Sequence, residues 1–372
     1  MSNKRKLRRT IRWILSVMLV VVGLSTTWAW GRVARLAEPA PEDAGPQPAA
    51  LYAAWQPSGS ERLELFRSTD DAATWQPLGL SPVTWSSDGG DRLAAFSDTG
   101  SLLLSADRGD TWTQVGTDLP VVSMVWGEQG ALFLGTDGYG LYRLDGGEPM
   151  ASLAVPGSEL ATSPVRHLAY ADGRLFAATP TVLFTSDDGG ATWAKSLPVA
   201  GGRISALAAV DRDTVFVGTE TVGVSRSTDG GRTWEPALQG LGLAAGQLVQ
   251  VTALQADSQE RGVLYVAVDY LVGATQVHDV PVGTFVTVDN GSAWEALSGP
   301  GFPQVEHASA LVVAPDRPLY VESVAAGGLQ LYAPDIAGAL AALDSTDTSA
   351  RLEAIRLLGM ARAQEAGQAL LS

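Results

Sequence analysis

Five carboxylates of this chain keep the same company. Asp70, Asp107, Asp188, Asp229 and Asp289 each follow a hydroxyl residue by two positions, namely Ser68, Ser105, Ser186, Ser227 and Thr287. Four of them precede a glycine by two positions (Gly109, Gly190, Gly231, Gly291), and the first copy has Ala72 there. Every copy closes on a tryptophan: Trp75, Trp112, Trp193, Trp234 and Trp294. Carboxylates serve general acid–base and glycosidic chemistry. A reaction needs one site, however, and an octet that occurs five times is scaffolding first. Asp accepts turn amides, Gly permits φ > 0, and the Trp starts a returning strand with a ring that plugs against the neighbouring sheet. Loss of the Trp193 ring is expected to cost about 3–5 kcal/mol as a core cavity. No residue is assigned a catalytic role.

Other chemistry was sought in the remaining polar residues. His167, His278 and His307 are the only histidines, none is spaced as a metal pair, and there is no Cys, so neither a metal site nor a cofactor is expected. No Gly-x-Ser-x-Gly elbow occurs. The glycine-rich residues Gly240 to Gly246 lack a βαβ context and read as a flexible inter-blade loop. Asp98-Thr99-Gly100 occurs once between two strand patterns and reads as a turn. Arg108-Gly109-Asp110 and Asn290-Gly291-Ser292 lie inside octets and are read as parts of them.

The octets resemble the Asp-box, or bacterial neuraminidase repeat, of the sialidase-like β-propellers. That group includes sialidases, xyloglucanases, sortilin-type receptors and photosystem assembly factors. The resemblance implies an all-β propeller and no single activity, because one architecture hosts many chemistries. A sialidase would carry a Phe-Arg-Ile-Pro segment, an Arg triad and a Tyr nucleophile; the nearest approach here, Leu65-Phe66-Arg67-Ser68, already belongs to an octet. A xyloglucanase-like site would need two carboxylates across a cleft, and nothing in the sequence singles out a pair. Propellers of the photosystem-assembly type are similar in size, spacing and the recurring Asp-Gly-Gly-x-Thr-Trp phrase. Their basic recognition patch is not carried over.

Between residues 51 and 334, short apolar runs alternate with turns at a period of about 40 residues, the length of a four-stranded blade. Trp112 follows Trp75 by 37 residues and Trp234 follows Trp193 by 41, so each interval spans one blade. The 81 residues from Trp112 to Trp193 span two, with a degenerate octet at Leu141 to Gly147. The first blade lacks an inner strand before Leu51, and the last, starting near Ala308, lacks an outer one. Seven blades are favoured, with six as the alternative. The 60 residues from Trp234 to Trp294 hold a surplus in two places, Gln239 to Gln250 and Asp269 to Gly283. In an up-and-down blade both connections emerge on the face opposite the octets, which is therefore the candidate binding face, with Tyr270, His278 and Asp279 as its most chemically capable residues.

The ends of the chain differ from this body. Residues 1–12 are a basic head, and residues 13–30 are apolar and just long enough to cross a bilayer core. The positive-inside rule then places the body outside the cytoplasm. An anchor is preferred over a signal peptide cleaved near Ala29-Trp30-Gly31. Residues 31–50 form a Pro/Ala-rich linker, and residues 335–372 resemble one HEAT-type helical repeat with Asp347 or Thr348 as N-cap. The formal charge is −15; the first 36 residues hold eight Lys and Arg and no acid, so the remainder carries −23. A body that acidic argues against nucleic acid as a partner. The reading that results is an exported, membrane-tethered, non-catalytic propeller that binds a protein or glycan, with a glycoside hydrolase as the alternative.

Overall fold

The computed structural model describes residues 50–354, with breaks at 58–59, 61, 71–73, 147–150, 154–157, 198–201, 245, 258–260, 274–277, 298–307, 315–316, 324–327, 332–335, 349 and 352–353. The strands fall into seven antiparallel sheets in chain order. The first holds β1 (Leu51–Trp55), β2 (Glu64–Ser68) and β3 (Gln76–Pro77). Five complete four-stranded blades follow. They are β4 (Pro82–Ser87) to β7 (Thr113–Val115) through β5 (Leu93–Ser97) and β6 (Leu102–Ser105); β8 (Val121–Trp126) to β11 (Ala151–Ser152) through β9 (Ala131–Thr136) and β10 (Leu141–Asp145); and β12 (His167–Ala171) to β15 (Ala194–Ser196) through β13 (Arg174–Ala178) and β14 (Leu183–Ser186). The other two are β16 (Ile204–Ala209) to β19 (Glu235–Pro236) through β17 (Val215–Thr219) and β18 (Val224–Ser227), and β20 (Leu248–Ala256) to β23 (Glu295–Ala296) through β21 (Leu264–Val272) and β22 (His278–Thr287). The last sheet holds β24 (Ala308–Ala314), β25 (Arg317–Ser323) and β26 (Gly328–Leu331).

Sequence pattern follows depth in the blade. Second strands such as β5, β9, β13 and β17 are buried at every residue and, apart from Arg174 at the start of β13, read as apolar or small runs, because blades cover both of their faces. The inner strand β16, Ile-Ser-Ala-Leu-Ala-Ala, alternates buried with half-buried residues. Outer strands are two or three residues long and largely exposed. Second strands meet the octet tryptophans of the next blade: Phe216 of β17 packs edge to face on Trp294, with ring centres 6.4 Å apart. Inner strands are also joined by hydroxyls, as Ser123 Oγ donates to Val165 O at 2.7 Å and Ser205 Oγ to Val251 O at 2.7 Å.

The preference for seven blades is corrected to six. Only β4, β8, β12, β16, β20 and β24 are inner strands among the described residues, and consecutive members of that series lie side by side. The octet of the first sheet lies between β2 and β3, as octets elsewhere lie between third and outer strands, so β1 is a second strand and its sheet has no inner one. Counting octets and strand groups along the sequence also counts this sheet. A second expectation, that residues 269–283 form a loop insertion, is also corrected. Residues 269–272 and 278–283 prolong β21 and β22, which pair from Leu264↔Thr287 to Val272↔His278.

A short helix not anticipated from the sequence, α1 (Glu159–Thr162), lies between β11 and β12. Beyond the propeller, α2 (Ile336–Ala342) is helical, and Asp347 O accepts the Arg351 N–H at 3.1 Å, as the expected N-cap would. Most of the expected helical repeat, the basic head, the apolar segment and nearly all of the linker lie outside the described residues. Among the described residues no helix is long and apolar enough to cross a membrane.

Candidate functional site

The octet carboxylates are spent on their own turns. Ser105 Oγ donates to Asp107 at 2.7 Å and accepts the Gly109 N–H at 2.8 Å, while Asp107 accepts the Thr111 N–H at 2.9 Å and the Thr111 hydroxyl at 2.5 Å. The same four contacts recur around Ser186, Asp188 and Gly190, and around Ser227, Asp229 and Gly231. Thr287, Asp289 and Gly291 repeat them without the last hydroxyl, since Ala293 replaces Thr, and Ser68 and Asp70 repeat the contacts with Thr74. Hydrogen bonds from Thr192 hold Asp188 down at about 2 and those from Thr233 lower Asp229 further. In Asp107 the upward push of burial is outweighed by the bonds from Thr111.

Three of the five tryptophans fasten their octets to the preceding blade by a hydrogen bond, while the indole N–H of Trp112 is buried without one among the described residues. Trp193 Nε1 donates to Leu153 O at 3.2 Å, Trp234 Nε1 to Ser196 Oγ at 2.7 Å and Trp294 Nε1 to Ala237 O at 2.9 Å. Arginines on third strands reach the next octet in the other direction, Arg67 to Arg108 O at 2.9 Å and Arg226 to Asn290 O at 2.5 Å. Their acceptors are the residues that follow the octet Asp, at φ 61° and 56°. The face that carries the octets is thus a network of turn and inter-blade contacts.

The opposite face carries the candidate site. Tyr270, on the prolonged part of β21, accepts the Ala244 N–H at 3.0 Å and donates to Gly242 O at 3.3 Å. This phenol ties the two sequence insertions to each other. The tied loop forms one wall of a groove of about 510 Å³, whose other lining includes Thr221, Val222, Leu238 and Val249. Val249 pairs across the blade boundary with Val222, which seats the base of β20 against the preceding blade. Tyr270 therefore positions backbone. His278 occupies the register position opposite Val272, and Asp279, opposite Leu271, is exposed.

Three residues that sequence reasoning did not select give this face its character. Val272 and Val280 are 45% and 43% exposed on the prolonged hairpin, and Leu248, 52% exposed, begins the neighbouring β20 opposite Leu271. For Val280 the signal was present as the alternation of Val280 and Val282 with Asp279 and Pro281, but it is legible only once residues 278–283 are taken as strand. Ion pairs flank the same face where inner strands begin, Arg166 to Asp137 at 3.1 Å and Arg203 to Glu220 at 3.4 Å. His167, just inside, is kept neutral to about 4 by burial first and by Arg166 second. At the octet end, a second groove of about 520 Å³ is crossed by the Arg261 to Asp172 pair at 2.8 Å. Among the described residues no group of His, Asp and Glu is placed to hold a metal ion.

Sheets arranged around inner strands, with octet turns on one face and longer connections on the other, define a β-propeller. Solved structures share this fold. A GH74 xyloglucanase from Xanthomonas campestris aligns with a TM-score of 0.53 at 18% identity, covering 76% of this chain and 54% of that one. YCF48 bound to a D1 peptide aligns at 0.54 and 16% identity, covering 73% and 87%, and YCF48 from Cyanidioschyzon merolae at 0.52 and 13%, covering 78% and 97%. By sequence, the chain is 29% identical over 139 residues to an oligoxyloglucan reducing-end-specific xyloglucanase of Emericella nidulans, a match that covers 35% of this chain. It spans only 16% of that enzyme and about half (54%) of the Xanthomonas one. No family model matches the sequence.

Proposed function

We propose that this chain is an exported, membrane-tethered propeller that binds a protein partner through its insertion-bearing face and acts as an assembly scaffold. The observation that carries the reading is the prolonged β21–β22 hairpin. It is fixed by Tyr270 and exposes Val272 and Val280, which the register places on one side of the sheet. Apolar side chains held in water on a rigid element favour a partner that covers them. A propeller of the same fold, YCF48, is known with a peptide bound. The sequence of residues 1–30 supports the tether and the export.

Glycan hydrolysis is the second reading, favoured by the local likeness to a xyloglucanase. One experiment separates them. Full-length protein is crosslinked and purified from its native membranes beside the double variant Val272→Asp/Val280→Asp and the control Leu197→Asp, which alters an exposed leucine on an outer strand's end. A protein partner recovered by wild type and control, and lost from the double variant, is the expected result. Turnover of xyloglucan oligosaccharides that a single Asp or Glu substitution abolishes would replace the scaffold with a hydrolase.

A further inference from the structure

Two blades carry an arginine at an equivalent place, and only one of the two has its acid. Arg174 precedes Leu175, which pairs with the octet residue Ser186; Arg92 precedes Leu93, which pairs with Ser105 in the same register. After Ser186 comes Asp187, which accepts the Arg174 Nε–H at 2.6 Å and an Nη2–H at 2.9 Å, while Nη1 donates to Arg212 O on the next blade at 2.6 Å. After Ser105 comes Ala106. Arg92 turns its Nε to Asp88 at 2.6 Å, and among the described residues its two terminal nitrogens meet no acceptor.

The volume left open beside Ala106 is a recess of about 140 Å³ between this octet and the next blade. Buried Leu104, Leu132 and Leu144 line it together with the more exposed Arg92, Trp126 and Gln129, and Arg92 is its one charged residue among those described. The guanidinium is held from two sides. Its Cζ lies 5.1 Å from the centre of the Trp126 ring. Its Nη1 passes over Gly130, at φ 80°, where any Cβ would collide with it. The next blade is also the one whose octet is degenerate. Leu144 pairs with Leu132 as Ser105 pairs with Leu93, so a leucine stands where octets have a hydroxyl. Gly146 stands two places on, where they have Asp, and nothing lies within 4 Å of its Cβ position. Elsewhere the octet glycine presses on the blade before it: a Cβ at Gly109 would meet Leu78 at 2.8 Å, and one at Gly190 would meet Leu153 at 2.6 Å.

We propose that this recess binds a small monocarboxylate such as propionate, with its carboxylate on Nη1 and Nη2 of Arg92, serving that arginine as Asp187 serves Arg174, and its alkyl tail against the leucines. Asp88 already holds Nε, so the open edge of the guanidinium is its Nη pair, a planar fork that matches a carboxylate with two parallel hydrogen bonds. A cation is repelled there, and an anion without an apolar tail leaves the leucines uncovered. The bound acid bridges two blades at the junction whose octet is degenerate, so it stabilises the ring as well as filling the recess. The nearest rival acid in sequence is Glu148, two residues after Gly146 and outside the described residues. The ion pair that Arg92 makes is with Asp88, and the recess beside it is open, which favours an acid from solution. The site lies at the octet face, away from the hairpin, and its test is independent of the function proposed above.

The test is saturation-transfer NMR on the full-length protein in detergent micelles, with propionate and with propylammonium at equal ionic strength. Transfer to propionate is expected, and none to propylammonium beyond the micelle background. Arg92→Gln should weaken propionate binding about tenfold, the worth of a charge-assisted pair of hydrogen bonds. Ala106→Asp supplies the acid from within the chain and should abolish the transfer while the melting temperature stays level or rises. Arg62→Gln, which alters an exposed arginine paired with Asp98 at 3.5 Å, should leave the transfer unchanged. Equal transfer in wild type and Arg92→Gln overturns the proposal, as does equal transfer to the acid and the amine. Retained binding in Ala106→Asp, or a lower melting temperature there, overturns it as well, because an acid at that place would then have found no arginine. Binding that appears only in Glu148→Gln would show that the chain fills the recess with its own acid, and would equally overturn it.

Discussion

The two faces of this propeller are made at opposite ends of the same strands, and their turns do different work. On one face five copies of an octet consume their carboxylates, hydroxyls and glycines in nearly identical turns, and their tryptophans and neighbouring arginines fasten each blade to the next. On the other face short turns such as those at Thr136 and Thr219 repeat one another, but the longest pair of connections occurs once, fixed by a single phenol while its apolar side chains stand in solvent. Repetition marks the groups that the fold itself uses. What occurs once is free to serve a partner, as in other proteins whose loops carry function on a rigid scaffold.

Mutations sharpen that contrast, and the largest effect belongs to the octet face. Trp294 is 2% exposed, so Trp294→Ala should cost about 3–5 kcal/mol in urea denaturation. Trp193 is only partly buried, and Trp193→Ala should cost less, which revises the value expected from sequence alone. Equal losses would show that burial of the indole is not what distinguishes the copies.

Acid should act next. His167 stays neutral in the folded protein to about 4 while its unfolded form titrates near 6.5. The unfolded state therefore takes up the proton first, and stability that is complete above pH 6.5 is lost as pH falls toward 4. The loss is no more than about 3 kcal/mol, and His167→Gln should flatten it in thermal melts. The octet carboxylates act at lower pH with the same direction. Asp188, held at about 2 against an ordinary 3.8, contributes above pH 3.8 and stops contributing as pH falls through 2.

Ser186→Ala should rank third. It strands the buried N–H of Gly190, a loss of about 1–3 kcal/mol by chemical denaturation. On the opposite face, Tyr270→Phe should change global stability by no more than about 1 kcal/mol. Its signature is local: faster exchange of the Ala244 amide, which the phenol oxygen holds at 3.0 Å. Val272→Asp with Val280→Asp should be the mildest, within about 0.5 kcal/mol per site, while removing the partner. A large stability loss in that double variant would mean that the hairpin face is covered by the chain itself.

How much of this was legible in advance varies with how local the cause is. The octets and the period of about 40 residues that marks a four-stranded blade could be read directly, because turn chemistry and apolar runs are properties of adjacent residues. The blade count was not, since whether a strand reaches the axis depends on neighbours far along the chain. Nor was the role of Tyr270: its type and place on the inserted segment were visible, but the loop that its hydroxyl holds is 26 residues away. The exposed valines were hidden for the same reason, because strand residues of one spelling become core or surface according to which sheet lies against them.

The sequence by itself determined the turn chemistry, the apolar runs that must become strands, and an acidic body behind a basic, apolar head. Those follow from short-range sterics, hydrogen bonding and charge. Only the tertiary structure decided how many blades reach the axis, that the flanks of the longest insertion pair as a hairpin, and that β1, among the described residues, pairs along one edge only. Each of these depends on which surfaces meet when the ring closes, and burial and pairing are assigned there across the whole chain.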